Sequence, residues 1–168
     1  DPDFIDVEVT LTLRRGDPLT SWDIRIANRS DRYTLWKVTF IRIPNLAVVG
    51  ADSADDFLTV PTDYGWDIPN PKQRSLWLNA TYPSNQAVMQ FMAFRNARRG
   101  LYLAWHDPTA SPKSAQIRST PDGRLSLTFL QNPEHMTRVQ RQVAVEGLVL
   151  GVFAGDWYDA ACIYREWA

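Results

Sequence analysis

The sequence predicts an all-β fold, an antiparallel β-sandwich that ends in one short helix. Arg and Asp number 15 each, whereas Lys and Glu, which usually fill exposed helix faces, number only 3 and 4. Short runs in which apolar and polar residues alternate recur between turn-forming segments, and they amount to roughly nine strands. With 168 residues and 45% hydrophobic content, the chain is long enough for one domain with a sizeable core.

The first three strands follow directly from this alternation. Apolar residues occupy every second position from 7 to 13 and from 22 to 26, and the sequence RRGDP between the two runs predicts a hairpin turn. A third run, LWKVTFIRI at 35–43, carries apolar residues on both faces, which is typical of a strand covered on both sides. From 44 to about 83 the pattern is lost in a stretch rich in Asp, Gly and Pro, and we expect a long loop that is functional or packed against another surface.

The second half of the chain returns to strand patterns. AVMQFMAF at 87–94 is almost entirely apolar. The basic sequence RNARRG at 95–100 predicts a solvated turn, with contact to an anionic glycan as the alternative. Four further strand-like runs follow. The turn sequence TPDG, with its Pro, Asp and Gly, separates SAQIRS from LSLTFL. These runs are GLYLAWH, SAQIRS, LSLTFL and VQRQVAVEGLVLGVF.

The last residues have the pattern of an amphipathic helix. Gly155 ends the final strand, and Asp156 is a candidate N-cap with the acidic Asp159 three residues further on. Apolar residues then recur at helical spacing, namely Trp157, Ala160, Ala161 and Tyr164. We therefore divide the chain into a sandwich at 1–154 and a helix at 155–168. An isolated helix this short is only marginally stable in water, so its apolar stripe must pack against another surface, either this sandwich or a domain that follows it.

Composition and charge narrow the possible partners. The net charge of -1 provides no overall field for a nucleic acid or an acidic membrane surface, and no apolar run approaches the ~20 residues that span a bilayer. One cysteine, Cys162, and two histidines cannot supply an internal disulfide or a four-ligand zinc site, so we expect no structural metal. We also expect no cofactor. A signal-peptide pattern is absent and the chain opens without Met, so the sequence assigns no compartment.

The segment GLYLAWHDPTASPK at 100–113 contains the first candidate site. In a structural interpretation, Asp107 accepts backbone hydrogen bonds in a Pro-bounded turn, and Lys113 pairs with it or stays solvated. In a functional interpretation, Trp105 or His106 offers a face to a sugar ring while Asp107 and Lys113 orient its hydroxyl groups. In a third interpretation, this loop contacts a neighbouring domain. Adjacent strand residues point to opposite faces, so His106 and Asp107 are not expected to form a catalytic pair.

Four motifs occur in a fixed order along the chain: FLTVPTDYGWDIPNP, YPSNQAVMQFMAF, GLYLAWHDPTASPK and GDWYDAACIYREWA. In this order they resemble the N-terminal β-sandwich, of the galactose mutarotase-like type, of bacterial glycoside-hydrolase-like proteins, in which a catalytic (β/α)8 barrel follows. The resemblance covers about residues 57–168. It implies a non-catalytic accessory domain that packs on the barrel and has carbohydrate as a partner, with the helix at 155–168 leading into the barrel. Complete mutarotase-like sandwiches are larger than this chain.

The stretch DYGWDIPNP contains the second candidate site. In the functional interpretation, Tyr64, Trp66, Asp67 and Asn70 reach over the active-site mouth of a neighbouring barrel, as the resemblance allows. In the structural interpretation, the Trp66 indole fills one end of the sandwich. Three other tryptophans occur in strand-like runs, and we expect them to pack in the core: Trp22, Trp36 and Trp77.

Two further function classes stay open besides the accessory domain. An independent carbohydrate-binding module would display a row of exposed aromatic side chains. A small sugar-active enzyme of the epimerase type would place His106 or His135 opposite an acidic residue across a cleft. No Gly-x-Ser-x-Gly motif is present, and we expect no independent active site in this chain.

Overall fold

The part of the chain that the structure describes contains eleven β-strands, one α-helix and two short 3-10 helices, Ser53–Asp55 and Pro71–Gln73. This computed structural model describes residues 4–47, 49–50, 52–132 and 142–168. The strands are β1 (Ile5–Leu13), β2 (Leu19–Asn28), β3 (Val38–Ile43), β4 (Phe57–Val60), β5 (Trp66–Pro69), β6 (Trp77–Tyr82), β7 (Phe91–Arg95), β8 (Arg99–Trp105), β9 (Lys113–Ser119), β10 (Leu125–Gln131) and β11 (Gln142–Ala154), and the helix is α1 (Trp157–Trp167).

The strands form two antiparallel sheets that lie face to face. The large sheet has seven strands in the order β1-β2-β11-β8-β7-β4-β5, and the small sheet has four in the order β3-β10-β9-β6. Neighbouring strands in both sheets run antiparallel. The predicted all-β sandwich with a short C-terminal helix is therefore confirmed.

The core lies between the two sheets because each strand directs alternate side chains inward. Trp105 on β8 lies edge to face against Phe129 on β10, with ring centroids 4.7 Å apart. Around this pair the two sheets bury a continuous set of aliphatic and aromatic side chains, which includes Leu58, Val60, Phe94, Leu103, Ile117, Leu125, Leu127 and Leu148. Trp105 is thus a core residue, and its indole is closed to a sugar ring.

The predicted first hairpin is present. β1 pairs with β2 so that Val7 lies opposite Ile26 and Val9 lies opposite Ile24. The turn contains Gly16 at φ +83°, a left-handed conformation that glycine adopts without steric cost. Ile24 and Ile26 are buried against Val38 at the start of β3.

The small sheet ends at β3, so none of the strands that the structure describes lies over β1. Every residue of β1 is exposed, including the five aliphatic side chains on the face that continues the core of β2. We call these five residues the β1 row; each is 43–69% exposed, and they are Ile5, Val7, Val9, Leu11 and Leu13. The inner face of the large sheet is therefore wider than the small sheet that covers it.

The stretch from 44 to about 83 differs from the expected long loop, since it contains β4, β5 and β6. β4 and β5 have only four residues each, so their alternation is too short to separate from the Pro- and Gly-containing segments around them. Trp36 precedes β3 and is 64% exposed, and Trp77 lies on β6 and is 66% exposed. Both were expected in the core, and that expectation was wrong.

Helix α1 packs on the outer face of the large sheet. Its N-terminus has the predicted capping box: the Asp156 carboxylate accepts the backbone N–H of Tyr158 at 2.8 Å, and the Asp159 carboxylate accepts that of Asp156 at 2.8 Å. Ala160 is fully buried, and the Tyr164 ring stacks on Phe91 with centroids 5.3 Å apart. The sandwich thus buries Ala160 and partly covers Ala161 and Tyr164, whereas Trp157, which was expected in the same apolar stripe, is 50% exposed.

Candidate functional site

Three loops meet at one end of the sandwich: 61–65 between β4 and β5, 83–90 between β6 and β7, and 106–112 between β8 and β9. The middle loop joins the other two. The backbone N–H of Val88 donates to the carbonyl of Pro61 at 2.8 Å, and the side-chain amide of Gln90 donates to the carbonyl of Asp107 at 2.9 Å. The fold therefore brings Tyr64 of one candidate motif and His106 and Asp107 of the other to the same end, which we call the loop end.

A buried ion pair holds the loop end together. Lys113 opens β9 with its side chain fully enclosed, and its ammonium group pairs with the Asp107 carboxylate and donates to Gln90 Oε1 at 2.7 Å. The rings of Tyr82 and Trp105 face the same Nζ, with centroids at 5.6 Å and 5.9 Å. The ammonium group thus has an anionic, a polar and two aromatic neighbours inside the protein.

The Asp107 carboxylate is also fully engaged by its own loop. Thr109 donates its backbone N–H at 2.8 Å and its hydroxyl at 2.6 Å, and Ser111 donates the same two groups at 3.1 Å and 2.6 Å. These are the turn contacts that the structural interpretation of GLYLAWHDPTASPK expected. Because its oxygens are occupied, the carboxylate is not open to the hydroxyl groups of a ligand.

The charges of this pair depend on opposing effects. Burial raises the pKa of Asp107, but the hydrogen bonds from Lys113, Ser111 and Thr109 together outweigh it and hold that pKa well below its usual range. Burial lowers the pKa of Lys113, and the neighbouring Asp107 carboxylate opposes this change. Asp107 is therefore ionised at neutral pH and stabilises the ammonium form of Lys113.

His106 is placed by a bulge in β11 and by the end of α1. Its backbone N–H donates to the carbonyl of Gly147 at 2.6 Å. Gly147 has φ +72°, and a Cβ there would overlap the carbonyl of His106, so the position requires glycine. The imidazole lies 3.1 Å, Nε2 to hydroxyl, from Tyr102 and stacks on Trp167 with centroids 4.7 Å apart. Burial lowers the pKa of His106 to about 4, so the ring is neutral at pH 7.

His106 and Asp107 do not form a base-and-orienter pair. The expectation that both belong to a strand was wrong, since β8 ends at Trp105 and the two residues lie in the following loop. Their side chains nevertheless have different neighbours: His106 contacts Tyr102 and Trp167, whereas Asp107 contacts Lys113. His135, the other candidate for sugar chemistry, lies outside the described residues.

The motif DYGWDIPNP is divided between two environments. Tyr64 is 88% exposed in its turn, and Trp66 is 47% exposed on the edge strand β5, so the Trp66 indole does not fill the end of the sandwich. The Asp67 carboxylate accepts the Thr59 hydroxyl at 2.7 Å and pairs with Arg95. Of the predicted ligand contacts in this motif, Tyr64 and Trp66 are the most open to solvent.

Arg95 and Asn70 have structural contacts that their sequence motifs did not indicate. Arg95, expected in a solvated turn, is buried at the end of β7, and its guanidinium lies 5.0 Å from the ring centroid of Phe57. Asn70 has φ +48°, and its backbone N–H donates to the carbonyl of Asp56 at 2.7 Å. Asn70 follows β5 at the end opposite to Tyr64, so it lies away from the loop end.

Comparisons of this sequence with known protein families and curated proteins give no match, so a functional assignment has to rest on the geometry of the site. In the described ranges, no three His, Cys, Asp or Glu side chains are grouped in a way that would hold a metal ion. The helix of the described part is too short to cross a membrane.

The low pKa of His106 has a measurable consequence for stability. Unfolding restores the ordinary value of 6.5, so below pH 6.5 the unfolded chain binds a proton that the folded chain does not bind until about pH 4. We expect the contribution of His106 to be complete above pH 6.5 and to be lost as the pH falls toward 4. Two-dimensional NMR of the imidazole should show a midpoint near pH 4 in the folded protein.

Two variants separate His106 from other titrating groups. His106→Phe keeps an aromatic ring against Trp167 and should flatten the pH dependence of stability between pH 6.5 and 4. His135→Gln should leave the low-pH titration of the remaining histidine unchanged. A midpoint near 6.5 for His106 in the folded protein would contradict the burial that the structure gives this ring.

Proposed function

We propose that this chain is a non-catalytic accessory β-sandwich domain of a multidomain glycoside hydrolase, which packs on the catalytic (β/α)8 barrel of its parent protein. The observation that carries the proposal is the uncovered β1 row. The four ordered motifs that resemble glycoside-hydrolase-like sandwiches supply the identity of the expected partner. Tyr64 and Trp66 at the loop end are the side chains that we expect to contribute to carbohydrate recognition from this domain.

The β1 row has the properties of a surface that another domain covers. Its five aliphatic side chains continue the buried Ile24 and Ile26 of β2 without interruption. Contiguous exposed apolar patches beside a core usually mark interaction sites in soluble proteins. β1 is an edge strand without proline or a bulge, and its two charged residues, Asp6 and Glu8, lie on the face opposite to the β1 row, so no charge interrupts the row itself.

The polar groups of the loop end favour a structural role over catalysis. Lys113 and Asp107 neutralise each other inside the protein, and the half-buried His106 is neutral and lies against Tyr102 and Trp167. General acid–base catalysis on a sugar needs groups that reach the substrate and exchange protons with it. The exposed aromatic side chains beside them suit binding instead.

A binding experiment with the separately expressed barrel tests this proposal. In the double variant Val9→Thr with Leu11→Thr, two apolar side chains of the row become polar while strand propensity is kept. We expect calorimetry to show at least about tenfold weaker binding, since about 1.4 kcal/mol of lost apolar burial has that effect. The matched control, Thr10→Ser with Thr12→Ser, changes the other face of β1 and should bind as the wild type. Equal binding by both variants, or no binding by the wild type, would refute the proposal.

A second candidate function is an independent carbohydrate-binding module, which requires exposed aromatic side chains. Trp77 on the outer face of the small sheet favours it, because this indole is open to solvent and lies in a groove. The third class, an epimerase-like enzyme, depends on His106 or His135 facing an acid. Its test is a mutarotation assay on the isolated chain, in which we expect no rate above the uncatalysed one.

A further inference from the structure

A basic groove lies beside Trp77, away from both candidate sites. It has a volume of about 890 Å³ and is lined by residues 72–77, 118–121 and Gly123. Three of these residues are basic, and none is acidic. Lys72 is buried, so the open positive charge belongs to Arg74 and Arg118, both of which are exposed.

Strand alternation places the indole and one guanidinium side by side. Leu78 of β6 packs against the core, so its neighbour Trp77 points to the outer face of the small sheet. Trp77 lies directly opposite Arg118 of β9. Side chains in such a pair share one face of the sheet, with Cβ atoms about 5 Å apart. A flat apolar ring and a planar cation are therefore adjacent in the groove.

The two arginines retain unused hydrogen-bonding capacity. Within the described residues, no hydrogen bond or ion pair involves the guanidinium of Arg118. Arg74 donates through Nε to the carbonyl of Pro69 at 2.7 Å, which fixes its side chain, and no other described residue contacts its terminal amino groups through a hydrogen bond or ion pair. The backbone N–H of Leu76 donates to Ser119 Oγ at 2.7 Å and so ties the two walls of the groove together.

We propose that this groove binds an acidic saccharide, with a sugar ring stacked on Trp77 and its carboxylate paired with Arg118 and Arg74. Tryptophan offers the apolar face that a pyranose ring requires, and guanidinium groups bind carboxylates through two parallel hydrogen bonds. Gln116, which pairs with Asn79, is exposed on the same face next to Arg118 and offers a neutral amide to hydroxyl groups. This inference rests on the second candidate function, the carbohydrate-binding module, and names its ligand class; the site consists of this chain alone and needs no barrel.

Titration of the isolated chain with oligogalacturonate tests the site, and calorimetry and tryptophan fluorescence report binding. The fully methyl-esterified oligosaccharide is the matched ligand without charge. We expect the acid to bind at least about tenfold more tightly than the ester, because only the acid pairs with the arginines. Raising the salt concentration should reduce this difference, since the contact is exposed.

Variants assign the binding to particular side chains. Trp77→Ala and Arg118→Ala should each weaken binding at least about tenfold, and Arg118→Lys should restore only part of it, because lysine lacks the planar fork. Trp36→Ala removes an equally exposed indole elsewhere, and Arg98→Ala removes an arginine from another surface. Both controls should bind as the wild type. All four positions are exposed, so melting temperatures should stay close to that of the wild type.

Several results would overturn the inference. Equal affinity for the acid and its ester would show that the arginines do not recognise the carboxylate. Loss of binding in Trp66→Ala but not in Trp77→Ala would move the saccharide site to the loop end. No binding of oligogalacturonate, oligoguluronate or oligoglucuronate, or tighter binding of a single-stranded oligonucleotide, would refute an acidic-saccharide site. None of these results bears on whether the β1 row binds a barrel.

Discussion

Asp107→Ala is expected to lower the free energy of unfolding by about 3–5 kcal/mol, the usual cost of leaving one partner of a buried ion pair without the other. The Lys113 ammonium would lose its anionic neighbour while its side chain stays enclosed. Thr109 and Ser111 would lose the acceptor for their backbone and hydroxyl donors. Chemical denaturation at pH 7 measures the loss as a lower midpoint with an unchanged slope.

Controls separate the buried pair from ion pairs in general. Glu146→Ala removes an exposed partner of Arg25 and should change the free energy of unfolding by no more than about 1 kcal/mol. The double variant Asp107→Ala with Lys113→Met removes both charges and should be more stable than Asp107→Ala alone. If the double variant were the less stable of the two, the enclosed charge would not be the cause of the loss.

The pH dependence of this variant has a defined sign. The pKa of Asp107 in the folded state is depressed below its unfolded value of 3.8, so its contribution is complete above that value and is lost as the pH falls through the folded pKa. The difference in stability between wild type and Asp107→Ala should therefore shrink as the pH is lowered below about 4. A difference that stays constant down to pH 2 would contradict the depressed pKa.

Features set by neighbouring residues could be predicted from the sequence. The capping box of α1 needs only Asp156 and Asp159, three positions apart, and both carboxylates have the expected partners. The first hairpin needs two alternating runs and the intervening turn, which fix the pairing of β1 with β2. Such patterns report the local backbone, and they do not depend on which sheet covers a strand.

Features set by distant residues could not be predicted in this way. Trp77 and Trp105 both lie in alternating runs, but Trp77 faces solvent and Trp105 faces the core. Whether such a side chain points to the core or to solvent depends on which face of its strand the other sheet covers. The alternation in β6 did contain a signal, because Leu78 and Ala80 together indicate the buried face and leave Trp77 on the other. No sequence pattern indicated the role of Gln90, since its contact with Lys113 joins residues 23 positions apart.

The candidate site at the loop end also combines a feature set by neighbouring residues with features set by distant ones. The sequence identified Asp107 and Lys113 as possible partners because one Pro-bounded loop separates them. Their burial depends on Tyr82, Gln90 and Trp105, which the fold brings from other strands and loops. Of the two interpretations that the sequence left open for this carboxylate and ammonium group, the contacts in the folded chain match the structural one, in which they hold a turn together.

Deletion of residues 156–168 is expected to lower the free energy of unfolding by at least about 3 kcal/mol, because burial of each large apolar side chain contributes about 1.5–3 kcal/mol. The deletion exposes the surface around Phe91, Tyr102 and Phe153 that α1 covers. For a chain of this size the melting temperature should fall by roughly 6–12 °C. Differential scanning calorimetry at pH 7 measures both quantities.

Point variants on the helix locate the source of that loss. Tyr164→Ala removes the ring stacked on Phe91 and should account for about 2–3 kcal/mol, less than a fully buried aromatic residue because Tyr164 is only partly buried. Tyr158→Ala removes an exposed ring from the first turn of the same helix and should cost less than about 1 kcal/mol. An unchanged melting curve after deletion would show that α1 does not depend on this sandwich, and a surface outside the chain would then have to cover its apolar stripe.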